Sequence, residues 1–243
     1  MNRIVFINPT PGVGKTILIR EIGICLGLLE KKTLLVDCDP QGNLSLSLGA
    51  EDDCLYQGLT GKNSDLYQPT ENTYLLSGNH RLGELKKEST DPRKLKKLFR
   101  RTRLRDFKVV LIDTPPNLGL MTTIAMAAAD LIIIPIIPRL YSVEKLSQLM
   151  SFIAKSRLEL NRKIRLLGVV SVSDSTEINT LESEEEIIRT FGEKLFSTRI
   201  CEPIWKLFDE DEEPVDVRGV EEMVTPGILS LTKEILERIG EEV

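Results

Sequence analysis

Five short apolar runs, separated by segments of helix length, constrain the fold of this chain more than any other feature. They occupy residues 4–7, 33–37, 108–113, 131–136 and 164–172. The runs are continuous rather than alternating, which is typical of strands that are buried on both faces. Such strands form a mostly parallel sheet with helices on both sides. The sequence therefore predicts a doubly wound α/β fold.

Helical patterns fill the segments between and after these runs. They predict helices over 16–29, 142–158, 182–191 and 226–239, and a further short strand is predicted at 74–76. Ligands of such sheets bind at the carboxyl ends of the strands. The polar residues that follow each strand are therefore the first candidates for function.

Composition excludes several classes of protein. The formal net charge is −5, so the chain is not basic as a whole, although a local basic patch remains open. No apolar run approaches the roughly 18–20 residues that cross a bilayer. The four cysteines lack metal or redox spacing and His80 is the single histidine, so no zinc site is expected. We expect one domain over residues 1–243, located in the cytoplasm.

The first apolar run leads into Asn-Pro-Thr-Pro-Gly-Val-Gly-Lys-Thr at residues 8–16, and a predicted helix follows. Strand, glycine loop, Lys-Thr and helix in this order form the P-loop arrangement. Glycines let backbone N–H groups curl around phosphate oxygens, and the helix N-terminus adds the positive end of its dipole. The predicted nucleotide-binding residues of this segment are Pro11, Gly12, Val13, Gly14, Lys15, Thr16 and Ile17.

Two residues of this loop carry specific predictions. Lys15 is expected to reach the β- and γ-phosphates, and the Thr16 hydroxyl is expected to bind Mg²⁺. The strict pattern has glycine where this chain has Pro9. A glycine-rich turn before an ordinary helix is the alternative interpretation, and the acidic strand ends argue against it.

Aspartates close two of the apolar runs. Asp37 and Asp39 end the second run in Asp-Cys-Asp-Pro-Gln, and Asp113 ends the third in Asp-Thr-Pro-Pro. A carboxylate at a strand end beside a P-loop can bind Mg²⁺ directly or through water. Asp113 fits that role. Asp37 and Asp39 lie two residues apart and are expected to face the same way, one supporting the magnesium shell and the other orienting a water.

With these motifs the sequence resembles the ParA/MinD group of deviant-Walker P-loop ATPases, and ParA/Soj partition ATPases most closely. The segments 11–16, 36–43 and 112–119 carry the resemblance, and 127–138 and 195–200 extend it over nearly the whole chain. The resemblance implies binding of ATP or ADP with Mg²⁺, ATP-dependent dimerisation and slow hydrolysis. It also implies nonspecific DNA binding and stimulation by a ParB-like centromere-binding protein.

The resemblance also implies roles for single residues. Lys15 and Asp39 would be catalytic, with Asp39 positioning the attacking water, and Asp37 would join Thr16 and Asp113 at the metal. Adenine pockets of this family form late in the chain, where Pro203 is the candidate contact. A turn proline is the alternative interpretation of Pro203.

One departure from the family pattern is chemically important. The family's loop begins Lys-Gly-Gly, and its first lysine reaches the nucleotide of the dimer partner, whereas this chain has Thr10 and Pro11. Threonine cannot supply that charge, and proline removes a backbone N–H. We therefore expect nucleotide binding with weakened hydrolysis and a weakened homodimer. Arg139 is one cation that could substitute for the missing lysine. A pseudo-ATPase module and a P-loop kinase are the alternative functions.

Residues 93–108 form the most basic segment, with nine basic residues among sixteen. Helical spacing would turn Leu95, Leu98 and Phe99 towards the sheet and leave the charges in solvent. Such a face can bind the phosphate backbone of DNA nonspecifically, and a merely solvated helix is the alternative. The candidate DNA contacts are Lys96, Lys97, Arg100 and Arg101. No basic amphipathic helix closes the chain, so membrane binding is not expected.

Overall fold

The computed structural model describes residues 1–63, 65–100, 104, 106–140, 142–173, 181–200 and 224–241, with the backbone alone at 139 and 181–184. Within these residues seven strands form one sheet in the order β3-β4-β2-β5-β1-β6-β7. Every neighbouring pair is parallel except β3 and β4. The strands are β1 (Asn2–Phe6), β2 (Thr33–Asp37), β3 (Tyr67–Thr70), β4 (Thr73–Leu76), β5 (Val109–Asp113), β6 (Leu131–Ile136) and β7 (Arg165–Ser171).

The predicted strands are confirmed, and one strand was not predicted. Each of the five apolar runs overlaps a strand, and the predicted run at 74–76 lies in β4. The missed strand is β3, which is antiparallel and lies at the edge of the sheet. Its sequence, Tyr-Gln-Pro-Thr, contains a proline and no apolar run, and only an edge strand tolerates that composition.

Helices connect the strands and cover the sheet. They are α1 (Lys15–Leu28), α2 (Asn43–Ser47), α3 (Cys54–Leu59), α4 (Lys94–Leu98), α5 (Leu120–Ala128), α6 (Val143–Glu159), α7 (Leu181–Phe191) and α8 (Pro226–Ile239). The four predicted helices correspond to α1, α6, α7 and α8, with ends that differ by at most one residue. None of the helices in the described ranges combines the length and hydrophobicity that a bilayer crossing requires.

The core lies on both faces of the sheet, as the continuous apolar runs predict. In β1, Val5 belongs to one buried cluster, whereas Ile4 and Phe6 belong to the other. Helices α4, α5 and α6 pack into the first cluster through residues such as Ile124, and α1 and α8 pack into the second through residues such as Ile22. The fold is therefore a doubly wound α/β sheet, and its parallel strands end together at one edge.

Candidate nucleotide site

The loop between β1 and α1 curls through two glycines. Gly12 has φ 72° and Gly14 has φ 78°, both in the left-handed region that side chains rarely adopt. A Cβ at Gly12 would meet nothing within 4 Å, so backbone conformation rather than space requires glycine there. Gly14 is the residue before α1, so the loop delivers the chain directly into the helix N-terminus.

Asn8 fixes the entrance of this loop, a role that the sequence did not predict. Its Nδ2 donates to the carbonyl of Pro135 in β6 at 2.7 Å, and its Oδ1 accepts from the Thr10 backbone N–H at 2.9 Å. An asparagine after a strand is common in turns. Its bond to β6 depends on the strand order, which the local sequence pattern leaves open.

Lys15 lies inside the loop rather than in solvent. Its side chain is 7% exposed, and Nζ donates to the carbonyl oxygen of Asn8 at 3.0 Å. Burial lowers the pKa of Lys15, and the carboxylates of Asp113 and Asp39 oppose that shift. The amine is therefore held at the loop and lies in the field of two strand-end aspartates.

Thr16 and Asp113, which were both predicted to bind Mg²⁺, are joined by a direct hydrogen bond. The Thr16 hydroxyl donates to Asp113 Oδ2 at 2.7 Å, and the backbone N–H of Thr114 donates to Oδ1 at 2.9 Å. Asp113 is fully buried, and burial raises its pKa to about 6 against the lowering effects of Thr16 and Lys15. The sequence predicted that these two residues converge, and the structure brings them together.

Asp37 pairs with Asp113 across β2 and β5 and is also fully buried. Burial and then the charge of Asp113 raise its pKa to about 8. Ser45 in α2 donates to Asp37 Oδ2 through its backbone N–H at 2.9 Å and its hydroxyl at 2.7 Å. Asp37 Oδ1 accepts from the backbone N–H of Asp39 at 3.1 Å. Both oxygens are therefore held by protein donors.

Asp39 makes different contacts from Asp37, although the two were expected to face the same way. The extended strand ends at Asp37, and the Asp39 carboxylate accepts from the Gln41 backbone N–H at 2.9 Å. Asp39 is 7% exposed, and it acts on the pKa values of Lys15 and Asp113. Asp39 therefore lies on the Lys15 side of the strand ends.

The oxygen atoms gathered here suit a magnesium ion beside a phosphate. Mg²⁺ prefers hydroxyl, carboxylate, water and phosphate oxygens, with one or two carboxylates from the protein. Thr16 and Asp113 supply a hydroxyl and a carboxylate that touch each other. No group of three or more His, Cys, Asp or Glu side chains in the described ranges could hold a metal by itself. A magnesium ion beside Thr16 and Asp113 would take its other ligands from phosphate and water.

Other predicted residues lie elsewhere. Burial of Lys96 and the nearby charge of Arg3 lower the pKa of Lys96, and Asp130 opposes that shift. Arg3 in β1 pairs with Asp130, which directly precedes β6, so Lys96 lies at the amino edge of the sheet. Arg101, Pro203 and the side chain of Arg139 lie outside the described residues.

Helix α4 differs from the predicted basic face in length and exposure. Leu95, Leu98 and Phe99 are buried as expected, but the helix covers only Lys94–Leu98. Lys96 is half-buried rather than solvated, and Lys97 pairs with Asp91 at 2.8 Å. The described part of the basic segment is therefore partly buried, and Lys96 lies near the charges of Arg3 and Asp130.

The glycine loop between β1 and α1 and the strand-end aspartate beside Thr16 define a P-loop ATPase fold. A family model described as an AAA domain matches residues 1–166. The chromosome-partitioning ATPase Soj of Thermus thermophilus is 34% identical over 206 residues, which cover 82% of this chain and 81% of that protein. The sporulation initiation inhibitor Soj of Bacillus subtilis is 32% identical, over 82% of this chain and 84% of that protein. The chain belongs to the ParA/Soj family of partition ATPases.

Solved structures agree with this fold. Apo McdA of Cyanothece superposes with a TM-score of 0.79 at 20% identity, covering 99% of this chain and all of that one (100%). Cobyrinic acid a,c-diamide synthase of Mycobacterium smegmatis, solved with an ATP analogue and magnesium, gives a TM-score of 0.72 at 26% identity. That match covers 79% of this chain and 81% of the synthase. The likeness to McdA concerns the fold alone.

Proposed function

We propose that this chain is a ParA-like ATPase switch that binds Mg-ATP and acts in plasmid or chromosome partition. The observation that carries the proposal is the 2.7 Å bond between Thr16 and Asp113, beside the buried amine of Lys15 and the left-handed glycines of the loop. The family relationship supports ATP rather than another phosphate ligand, and residues 1–243 would form one P-loop ATPase domain.

The loop would bind the phosphates of ATP or ADP. Because Gly12 and Gly14 have left-handed backbone, the N–H groups around them would be able to turn towards phosphate oxygens. Lys15 would exchange its bond to the Asn8 carbonyl for the β- and γ-phosphates. The proposed nucleotide contacts are Pro11, Gly12, Val13, Gly14, Lys15, Thr16 and Ile17, with Pro203 as the adenine contact.

Thr16 and Asp113 would hold Mg²⁺, which neutralises charge on the terminal phosphates. Asp37 would support this shell from behind Asp113, since Ser45 and Asp39 already occupy its oxygens. Asp39 would orient the attacking water, with Lys15 stabilising the charge that develops on the phosphate. All of these residues lie where β1, β2 and β5 end.

The family also supports DNA and a ParB-like centromere-binding protein as partners, and a nucleoid-associated location in the cytoplasm. Nonspecific DNA association would use the basic segment of residues 93–108, through Lys96, Lys97, Arg100 and Arg101. An ATP-dependent homodimer would form weakly, because Thr10 replaces the family's cationic residue. The same replacement would slow hydrolysis.

A nucleotide-binding pseudo-ATPase is the second candidate function. The composition of the loop favours it, because Thr10 is buried and uncharged and Pro11 donates no backbone hydrogen bond. Such a module would bind nucleotide and signal its state to a partner with little turnover. Steady-state ATP turnover, measured with and without DNA and a ParB-like partner, separates the two candidates.

A variant of Thr16 tests the nucleotide site itself. Thr16→Ala removes the hydroxyl that touches Asp113, so we expect the Mg²⁺-dependent part of ATP affinity to fall by about tenfold or more. Titration with a fluorescent ATP analogue, with Mg²⁺ and with EDTA, measures this loss. Thr123→Ala is the matched control, since Thr123 Oγ1 donates to the carbonyl of Gly119, the residue before α5. Equal Mg²⁺ dependence in Thr16→Ala and the wild-type chain would contradict the proposal.

The oligomeric state tests the switch. We expect a monomer with ADP and a partial shift to dimer with a slowly hydrolysed ATP analogue, measured by light scattering after size-exclusion chromatography. A nucleotide-independent monomer would favour the pseudo-ATPase. Complete dimerisation with ATP would show that Thr10 does not weaken the dimer.

A further inference from the structure

The phosphate loop carries little positive charge for the anion that it would bind. Within residues 8–16, Lys15 is the single basic residue, and it is buried. Two buried carboxylates also lie at this site, Asp113 against the Thr16 hydroxyl and Asp39 after β2, so the side chains of the site include more acidic than basic groups. With Mg²⁺ bound to either nucleotide, a triphosphate still carries about one more negative charge than a diphosphate, and a further cation would stabilise that charge in a partly desolvated site.

A crevice between the phosphate loop and the start of α6 is lined by a lysine that could supply this cation. Its volume is about 30 Å³, and its lining includes Thr10 and Val13 of the loop and Lys145 of α6. Apolar side chains of β6 and α6, Ile136 and Leu149 among them, also line it. Lys145 is the basic residue among those that line the crevice.

Lys145 is available for a ligand. It is exposed in the first turn of α6, where its backbone N–H donates to the Ser142 hydroxyl at 3.5 Å. Neighbouring Glu144 accepts from Gln148. Within the part of the chain that the structure describes, the Lys145 amine has no hydrogen bond and no ion pair. The N-terminal turn of a helix also favours an anion nearby.

We propose that Lys145 binds the terminal phosphate of a nucleoside triphosphate held by the Lys15 loop, and so makes the site prefer triphosphate to diphosphate. The inference rests on the proposed nucleotide binding. The flexible four-carbon stem of lysine lets a rim position reach a phosphate across a narrow crevice. Lys145 thereby provides, from α6, the charge that Thr10 does not provide within the loop.

Nucleotide affinity rather than turnover tests this inference. Fluorescent ADP and a slowly hydrolysed fluorescent ATP analogue are titrated into the full chain with Mg²⁺, at 50 mM and 300 mM salt. In Lys145→Ala we expect affinity for the triphosphate to fall about tenfold and affinity for ADP to change less than about threefold. Lys145→Arg should keep most of the preference, because it keeps the charge.

Lys155→Ala is the matched control. Lys155 is an exposed lysine of the same helix, ten residues and about 15 Å farther along the axis. It should leave both affinities and their salt dependence unchanged. A circular dichroism melt checks that the variants fold.

The outcomes separate this inference from the function on which it rests. If the wild-type chain binds neither nucleotide, the proposed function and the inference both fail. If the wild-type chain binds both nucleotides and Lys145→Ala keeps its triphosphate preference, the inference alone is wrong. An equal loss for ADP and the triphosphate analogue would also overturn it, because the terminal phosphate would then not be the group that Lys145 contacts.

Discussion

Ser45 donates two hydrogen bonds to the buried carboxylate of Asp37. Its backbone N–H and hydroxyl both reach Asp37 Oδ2, and its hydroxyl oxygen accepts from the backbone N–H of Gly78 at 2.9 Å. Gly78 packs so tightly that a Cβ there would lie 2.2 Å from the Asp37 carbonyl oxygen. Asp37, Ser45 and Gly78 therefore form one small hydrogen-bonded unit next to Asp113.

Ser45→Ala tests this unit. The change removes one donor to Asp37 and leaves the buried N–H of Gly78 without its acceptor, so we expect a loss of about 1–3 kcal/mol in the free energy of unfolding. Urea unfolding in the absence of nucleotide measures the loss. Ser47→Ala in the same helix is the control, since Ser47 Oγ donates only to the Leu44 carbonyl. Equal midpoints for Ser45→Ala and Ser47→Ala would contradict this role.

Residues of the site differ in how far the sequence predicts them. Lys15, Thr16 and Asp113 follow from local patterns, because a strand, a loop and a helix in succession fix their places. Ser45 and Asn8 do not, since their partners depend on which strands are neighbours. Ser45 meets Gly78 across 33 residues, and Asn8 meets Pro135 across 127. Such pairings depend on tertiary register, which no local pattern encodes.

Helix α8 shows, at the level of an element, the same difference between features that the local sequence predicts and contacts that depend on tertiary packing. Its bounds were predicted from Pro226, and Thr225 caps it by accepting the Ile228 N–H at 3.4 Å. The local pattern of the helix does not predict partners for Arg238 or Glu234. In the structure the Arg238 guanidinium lies 4.1 Å from the centre of the Phe196 ring and donates to the Leu195 carbonyl at 2.8 Å.

Glu234 completes this attachment of α8 to the segment after α7. Its carboxylate accepts from the backbone N–H groups of Ser197 at 2.9 Å and Thr198 at 3.0 Å, and from Arg238 at 2.8 Å. Burial alone would raise the pKa of Glu234, but these donors outweigh it and lower the pKa. The ionised form of Glu234 is therefore the one that holds α8 to this segment.

Glu234→Gln should be less stable than the wild-type chain by about 1 kcal/mol at pH 7, because it weakens three charge-assisted bonds. A lowered folded-state pKa stabilises the fold above the unfolded value of 4.5, and the effect is lost as pH falls through the folded value. The difference between variant and wild type should therefore shrink below about pH 4. Thermal melts between pH 3.5 and 7.5 measure it.

Glu237→Gln is the control for that series, since Glu237 is exposed on the same helix. Glu237→Gln removes the same charge but keeps the hydrogen bonds that join Glu234 to the segment after α7. The stability of this variant should therefore follow that of the wild-type chain at every pH. A constant difference between Glu234→Gln and Glu237→Gln across the pH range would show that ionisation of Glu234 does not stabilise the attachment.

At the scale of the whole molecule, the candidate nucleotide-site residues and a group of charged residues lie at opposite ends of the strands. The P-loop and the aspartates lie where β1, β2 and β5 end, whereas Arg3, Asp130 and Lys96 lie where β1 and β6 begin. The five residues of β1 span about 16 Å. The doubly wound class was predictable from buried parallel strands. The strand order, and hence which charges share an edge, was not.

This separation predicts that DNA binding and nucleotide binding can be removed independently. Replacing Lys96, Lys97, Arg100 and Arg101 by glutamine should weaken nonspecific DNA binding. The log–log slope of affinity against salt should become shallower by about 0.9 for each DNA phosphate that the variant no longer neutralises. Nucleotide affinity should stay unchanged, because Lys96, in the described part of the segment, lies near Arg3 and Asp130, at the opposite ends of the strands from the loop. Fluorescence anisotropy with duplex DNA over a salt series, beside a nucleotide titration, measures both.

The matched control replaces Lys155 and Arg157, two exposed basic residues of α6, by glutamine. If DNA affinity followed net charge alone, this pair would lower it by about half as much as the four substitutions. Binding that depends on the basic segment would instead leave the control near the wild-type value. Because the net charge is already −5, DNA binding requires positive charge gathered in one place rather than positive charge in total. Unchanged binding in the fourfold variant would exclude the amino edge as the DNA surface.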